Sequence, residues 1–142
     1  MLRIGIVVSR FNADITERML AGALETLRAW RVREGSIEVI HVPGSFEIPF
    51  ACRTLVSGKK KPDAIIALGC IIKGETDHDR YIASAVSHGI MQVMLEHGVP
   101  ISFGVITTNN LKQAEVRSRG KANKGIEAAV AALESALLVR GR

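Results

Sequence analysis

The sequence predicts an α/β protein: a three-layer αβα sandwich around a four-stranded parallel sheet. Short β-rich runs alternate along the chain with longer segments of helical periodicity, which is typical of successive βαβ units. The run Ala64–Ile72 is apolar throughout, as expected for a strand that helices cover on both faces. A length of 142 residues fits a single domain, 1–142, with a real hydrophobic core.

The first strand is predicted over Arg3–Ser9, where aliphatic residues follow one another closely. The sequence Asp14–Glu17 has the D-x-x-E pattern of a helix N-terminal capping signal, with Asp14 as the capping residue. It predicts a helix that runs to about Trp30. The β-branched run Ile37–Val42 then predicts the second strand.

The turn residues Pro43–Ser45 lead into a short helix predicted over roughly Glu47–Val56. Gly58–Pro62 ends this helix, because glycine and proline both interrupt helical backbone. The third strand is the apolar run Ala64–Ile72.

A long helix is predicted over Arg80–Glu96 and the fourth strand over Ile101–Thr107. Thr108–Asn110 is predicted to cap a helix that breaks near Ser118–Gly120, and the last helix is predicted over about Asn123–Val139. Right-handed crossovers between parallel strands then give a flavodoxin-like topology.

The composition argues for a small anionic ligand rather than for nucleic acid. Nineteen Lys and Arg residues against 14 Asp and Glu residues give a net charge of +5. The basic residues are scattered, and the one run, Lys59–Lys61, lies beside turn residues and is interpreted as a solvated turn. We therefore expect no nucleic-acid partner.

Cysteine usage and the hydropathy pattern predict a cytoplasmic protein with no membrane contact. Cys52 and Cys70 lie in apolar surroundings without metal-ligand spacing, so we expect buried, reduced thiols. The chain starts directly with a strand rather than a signal peptide, and it has no apolar run long enough to span a bilayer.

The most informative segment is Leu68–Asp79, where a buried strand leads directly into glycine, acids, a hydroxyl and a histidine. Ligands of open α/β sheets bind where strands end and helices begin, and free backbone N–H groups there favour phosphate. His78 stands where a proton donor is needed. The alternative is an ordinary helix start, with Thr76 or Asp77 as the N-cap and an exposed histidine.

Parallel strands bring their carboxyl ends to one edge of the sheet, so four loops should converge there: Arg10–Asn12, Pro43–Glu47, Gly74–Asp79 and Thr107–Asn110. Phe11 and Phe46 are suited to stack on a flat heterocycle, although either ring could instead plug the end of the sheet. Glu47 can accept the paired N–H groups of a uracil-like ring, or it can simply complement a helix N-terminus.

Several enzyme classes lack their sequence patterns here. The motifs GxGxxG, GxxxxGK[ST] and GxSxG do not occur, which argues against dinucleotide enzymes, P-loop NTPases and α/β-hydrolases. A metal-dependent hydrolase that uses His78 with Asp77 and Asp79 stays as a lesser alternative. We expect no metal, because neighbouring side chains on one loop rarely form a closed site.

Four segments resemble, in order and at suitable intervals, the hallmark segments of the lumazine synthases of riboflavin biosynthesis: Ile4–Asn12, Val42–Pro49, Gly69–His78 and Asn123–Ala129. The resemblance covers nearly the whole chain. It implies the penultimate step of riboflavin synthesis, in which 5-amino-6-(D-ribitylamino)uracil condenses with 3,4-dihydroxy-2-butanone 4-phosphate to give 6,7-dimethyl-8-ribityllumazine, phosphate and water. It implies neither a metal nor an organic cofactor.

The resemblance also implies a role for individual residues. Proton transfer falls to His78, and Asn12 and Glu127 have supporting roles. The phosphate site would consist of the backbone N–H groups of Glu75 and Thr76 together with Arg117. The pyrimidine and ribityl site would consist of Phe11, Ser45, Phe46, Glu47, Cys70, Ile71 and Ile72, with Phe103 and Lys124 supplied by a neighbouring subunit.

The sequence departs from the family pattern in three places. It lacks the N-terminal segment that many members carry, Asp79 follows His78 where an aromatic is common, and the stretch Arg117–Asn123 is one residue shorter than usual. The shortening leaves Arg119 as the alternative to Arg117 for binding phosphate.

The resemblance implies a homo-oligomer built on pentamers, with riboflavin synthase as a further partner. We favour the pentamer alone over a 60-subunit shell. The functional alternative is a shell-forming or ligand-binding paralogue with little turnover.

Overall fold

Four parallel strands form the central sheet of the chain, which a computed structural model describes over residues 1–141. They are β1 (Ile4–Ser9), β2 (Ile37–Val42), β3 (Ala64–Ile72) and β4 (Ile101–Thr108), in the spatial order β2-β1-β3-β4. The two central strands therefore have neighbours on both sides, which fits their nearly complete burial. This order is that of a flavodoxin-like sheet, as predicted.

Five α-helices cover the two faces of the sheet in the described part of the chain. They are α1 (Ala13–Ala29), α2 (Ile48–Val56), α3 (His78–His97), α4 (Leu111–Arg117) and α5 (Lys124–Arg140). Short 3₁₀ turns lie at Glu34–Ser36, Ser45–Glu47 and Gly120–Ala122. The predicted elements are confirmed in order and type, with differences of a few residues at their ends.

Two separate apolar cores result from the alternation of side chains along the strands. Ile4, Ile6 and Val8 of β1 point to the side that α1 and α5 cover, together with Ala114 of α4. Val7 points to the opposite side, which α2 and α3 cover. The three-layer αβα sandwich is therefore confirmed.

The start of α5 packs directly onto the backbone of α1. Gly125 lies so close to α1 that a Cβ atom added to it would collide with the carbonyl oxygen of Met19. The Asn123 amide joins the two helices, because its Nδ2 donates to the Arg18 carbonyl at 3.0 Å and its Oδ1 accepts the Gly125 N–H at 2.8 Å. This contact requires a glycine at position 125.

The start of α1 differs from the prediction. Helix α1 begins at Ala13, and its N-cap is Asn12 in the left-handed conformation (φ 62°, ψ 47°). The prediction that Asp14 caps the helix is wrong, because Asp14 lies inside the first turn, where its charge complements the helix dipole. Asparagine is among the few residues that adopt this backbone conformation readily.

Helix α3 begins at His78, two residues before the predicted start at Arg80. His78 and Asp79 therefore project from its first turn rather than from a loop. Further along, Val86, Ile90 and Val93 are buried against the sheet. No helix among residues 1–141 combines the length and apolar character needed to cross a membrane.

Candidate functional site

A cavity of about 660 Å³ lies at the carboxyl edge of the sheet, where the loops after β1, β2 and β3 converge. Its walls also include the first turns of α3 and α4. Ten of the residues predicted for the site line it: Phe11, Asn12, Ser45, Phe46, Glu47, Cys70, Ile71, Ile72, Thr76 and His78. We call this space the strand-end cavity.

The aromatic rings of Phe11 and Phe46 are open to solvent in the strand-end cavity, with 66% and 62% of their surfaces exposed. Neither ring plugs the end of the sheet, so the structural alternative for both residues is wrong. The loop that carries Phe11 is fixed, because the Phe11 N–H donates to the Pro43 carbonyl at 3.0 Å. Held in this way, the ring offers a flat apolar surface to a heterocycle.

Asn12 links the loop after β1 to the end of β3. Its Nδ2 donates to the Cys70 carbonyl at 3.0 Å. The left-handed backbone at Asn12 and this hydrogen bond hold the loop after β1 against the end of β3. The supporting role of Asn12 in the reaction stays a prediction.

The carboxylate of Glu47 is half-buried at the rim of the cavity. Its Oε1 accepts the Gly44 N–H at 2.8 Å, which closes the turn after β2. Within the described residues Oε2 makes no hydrogen bond, so it can accept an N–H of a ligand. One oxygen of Glu47 thus has a structural role, and the binding of a ligand by the other oxygen stays a prediction.

Cys70 contributes an apolar wall rather than a nucleophile. Burial raises the pKa of its thiol to about 11, and the pKa of Cys52 to about 12, because an apolar environment disfavours the charged thiolate. Both thiols are therefore protonated at neutral pH. They are buried and free, as predicted.

The segment after β3 presents His78 to the strand-end cavity. Asp77 occupies the N-cap position of α3 without a capping hydrogen bond from its side chain, and the Thr76 hydroxyl accepts the His78 N–H at 3.3 Å. The histidine is exposed, as the helix-start alternative predicts, yet it also lines the cavity. Glu75 is exposed on the same segment, but it does not line the cavity.

Four other predicted site residues lie in a second cavity of about 260 Å³ between β4 and α5, which we call the β4 cavity. It is lined by Phe103, Arg117, Lys124 and Glu127. Lys124 and Glu127 form an ion pair at 2.8 Å. None of these four residues lines the strand-end cavity, so the predicted site is divided within one chain.

Arg117 and Arg119 occupy different places. Arg117 lines the β4 cavity and donates from Nη1 to the Gln113 carbonyl at 3.3 Å. Arg119 lies instead in a shallow groove with Arg18 and Lys121, on the side where α1 meets α5. Only Arg117 of the two shares a cavity with Phe103.

Five residues that line the strand-end cavity are not among the predicted site residues: Gly44, Gly74, Asp79, Ile82 and Leu111. The first three lie in loops that were predicted to converge there, whereas Ile82 and Leu111 lie outside those loops. Leu111 directly follows the predicted cap Asn110, so its position close to the end of the fourth strand could have indicated that it lies at the cavity. The sequence indicates Asp79 as a departure from the family pattern and as a ligand in the metal-hydrolase alternative, but not as a substrate-binding residue. Its Oδ1 is shielded from solvent and has no hydrogen-bond partner within residues 1–141.

The metal-hydrolase alternative finds no support in this geometry. In the described part of the chain, no group of three or more His, Cys, Asp or Glu side chains is arranged to hold a metal ion. His41, the other histidine close to an acid, pairs at 3.0 Å with Glu17 on an exposed surface.

Comparison with known proteins gives a consistent result over nearly the whole chain. The family described as 6,7-dimethyl-8-ribityllumazine synthase matches residues 1–140. The 6,7-dimethyl-8-ribityllumazine synthase of Kosmotoga olearia is 50% identical over 140 residues, which are 98% of this chain and 89% of the relative.

Proposed function

The chain belongs to the 6,7-dimethyl-8-ribityllumazine synthase family, and from this premise we propose how its two cavities carry out the reaction of that family. The protein is a transferase of riboflavin biosynthesis that condenses a ribitylaminouracil with a four-carbon sugar phosphate. One observation supports this function most strongly: Phe11, Glu47 and His78 line one cavity of about 660 Å³. The cavity thereby combines a stacking surface, a hydrogen-bond acceptor and a proton carrier.

The pyrimidine substrate binds in the strand-end cavity in this proposal. The exposed Phe11 ring stacks on the heterocycle, and Oε2 of Glu47 accepts its N–H groups. Ser45 and Phe46 hold the ring and the ribityl chain, and Cys70, Ile71 and Ile72 form the apolar wall. The protonated state of the Cys70 thiol fits this passive role.

The four-carbon phosphate binds beside the start of α3. The backbone N–H groups of Glu75 and Thr76 and the positive end of the helix dipole favour an anion there. His78 is then placed to move protons as the amine attacks the ketone, phosphate leaves and the second imine closes the ring. A histidine side chain exchanges protons readily at neutral pH, which these steps require.

The residues of the β4 cavity complete the site from a second copy of the chain. Phe103, Arg117 and Lys124 lie in one cavity, apart from His78, so an oligomer that apposes the two cavities brings all predicted groups together. Arg117 supplies the fork of N–H donors that a phosphate prefers, and Glu127 supports Lys124 through their ion pair. We propose a pentamer located in the cytoplasm, in preference to a 60-subunit shell, with riboflavin synthase as a further partner.

The function is tested by mixing the purified protein with both substrates and following the absorbance and fluorescence of the lumazine. We expect product without added metal and undiminished turnover in a strong chelator. Activity lost on chelation and restored by one divalent ion would contradict the cofactor-free proposal. A folded protein that binds the pyrimidine but makes no product would favour the paralogue with little turnover.

Replacement of Arg117 by alanine is expected to raise the KM for the phosphate substrate about ten-fold or more, with a smaller effect on kcat. The reason is the loss of a charge-assisted hydrogen bond that contributes to ground-state binding. Initial rates at varied phosphate substrate measure it. Arg119→Ala is the matched control, because Arg119 lies in a different groove; the reverse result would mean that Arg119 is the phosphate ligand.

Light scattering tests the assembly. The outer face of α3 carries Tyr81, Met91 and Leu95, with 74%, 49% and 73% of their surfaces exposed. Clustered exposed apolar side chains of this kind are typical of a contact between proteins. We expect a mass of five times 15.4 kDa. A mass of about sixty chains would support the shell, and a fully active monomer would contradict the shared site.

A further inference from the structure

The carboxylate of Asp79 is incompletely satisfied in the strand-end cavity. Asp79 is half-buried in the first turn of α3 and lines the cavity together with His78. Its Oδ1 is shielded from water and has no hydrogen-bond partner in the part of the chain that is described. Asp77, two residues earlier, is exposed and does not line the cavity. The two acids therefore differ in their surroundings.

A shielded carboxylate oxygen without a partner is unfavourable, because the lost hydration is not replaced. The other oxygen, Oδ2, makes no hydrogen bond within the described residues either, and it is the oxygen that a ligand in the cavity can reach. An ionised carboxylate only accepts hydrogen bonds, so the missing partner is an N–H or O–H group. Side chains at neighbouring helix positions do not face each other, so His78 is not that partner.

The charge of Asp79 distinguishes between the two substrates of the proposed function. A phosphate dianion bound at the start of α3 repels a carboxylate in the same helical turn. The ribitylaminouracil carries no phosphate and presents amine and hydroxyl donors. The carboxylate therefore favours the ribitylaminouracil and disfavours the sugar phosphate as its neighbour.

We propose that Asp79 is a substrate-binding residue whose accessible oxygen, Oδ2, accepts a hydrogen bond from an amine or hydroxyl of the ribitylaminouracil. This inference rests on the proposed function, and it assigns Asp79 to one of the two substrates. It also predicts that the charge of Asp79 strengthens binding of the ribitylaminouracil and weakens binding of the sugar phosphate. Removing its charge weakens binding of the pyrimidine and relieves repulsion of the phosphate.

The test compares the variants Asp79→Asn and Asp79→Ala with the wild-type enzyme. We expect the KM for the ribitylaminouracil to rise several-fold in D79N and about ten-fold or more in D79A, because a hydrogen bond to a charged group is lost. The KM for the phosphate substrate is expected to stay unchanged or to fall. A structural role for Asp79 would instead raise both KM values or lower kcat alone.

Asp77→Asn is the matched control, because it removes the same charge two residues away outside the cavity. It should leave the KM for the ribitylaminouracil unchanged. Light scattering and circular dichroism should show that both Asp79 variants keep the fold and assembly of the wild type. Should D79A fail to fold, D79N alone decides the question, because amide and carboxylate have nearly the same shape.

Calorimetric titration with the ribitylaminouracil provides a readout that does not depend on turnover. Weaker binding in both Asp79 variants, with unchanged binding in D77N, supports the inference. Equal affinity in the wild type and in D79N overturns it, whatever the rates are. A wild-type protein that binds the pyrimidine without forming product would contradict the proposed function while leaving this comparison decisive.

Discussion

Replacement of His78 by alanine is expected to lower kcat by about 10²- to 10⁴-fold, the usual contribution of a general acid–base group. His78 lines the strand-end cavity from the first turn of α3, while its backbone N–H is already bonded to Thr76. Its ring is therefore available to substrates without disturbing the start of the helix. Steady-state rates with both substrates saturating measure the loss.

The affinity for the pyrimidine should change little in H78A, because Phe11 and Glu47 remain in place. Residual turnover is expected as well, since holding two substrates together accelerates a condensation on its own. His88→Ala is the control, because His88 is exposed on the same helix and does not line the cavity. A kcat for H78A equal to that of H88A would mean that His78 is only a polar surface residue without a role in proton transfer.

Replacement of Gly125 by alanine is expected to lower the free energy of unfolding by about 3 kcal/mol or more, the upper end for substitutions that overfill a packed contact. Helix propensity alone predicts the opposite sign, because alanine is favoured over glycine inside a helix by about 1 kcal/mol. Here the added methyl group meets the Met19 carbonyl of α1. Backbone yields less readily than a flexible side chain, so the steric effect should dominate.

Urea denaturation of wild type and G125A at one protein concentration measures this difference. Gly35→Ala is the control, because a Cβ atom at Gly35 would meet no other atom within 4 Å. It should be neutral or slightly stabilising. A G125A protein as stable as G35A would mean that α1 and α5 separate easily.

The strands and their order of appearance were predictable, because aliphatic runs such as Ala64–Ile72 have few alternatives to a buried strand. The beginnings of helices were less predictable. Asp14 has the local signature of a cap, but Asn12 takes that place because its side chain bonds to the Cys70 carbonyl, 58 positions away along the chain. A hydrogen bond between distant segments leaves no local pattern.

The strand-end cavity was largely predictable from topology. Once the strands are parallel, their carboxyl ends meet at one edge, and Phe11, Glu47 and His78 all follow strand ends. Leu111 and Ile82 escaped prediction because they reach the cavity from helices whose orientation depends on packing. The roles of Phe103, Arg117 and Lys124 were expected only through the family resemblance, and no sequence pattern indicated that the three residues share the β4 cavity.

The division of the predicted site between two cavities has a genetic consequence under the proposed assembly. A chain whose β4 cavity is damaged still contributes an intact strand-end cavity to the site that it shares with one neighbour. A chain damaged at His78 still contributes an intact β4 cavity to the site that it shares with the other neighbour. In a mixed population, activity then depends on the number of subunit interfaces at which both cavities are intact, and not on the number of intact chains. Two individually inactive alleles can therefore restore function to each other when they are expressed together.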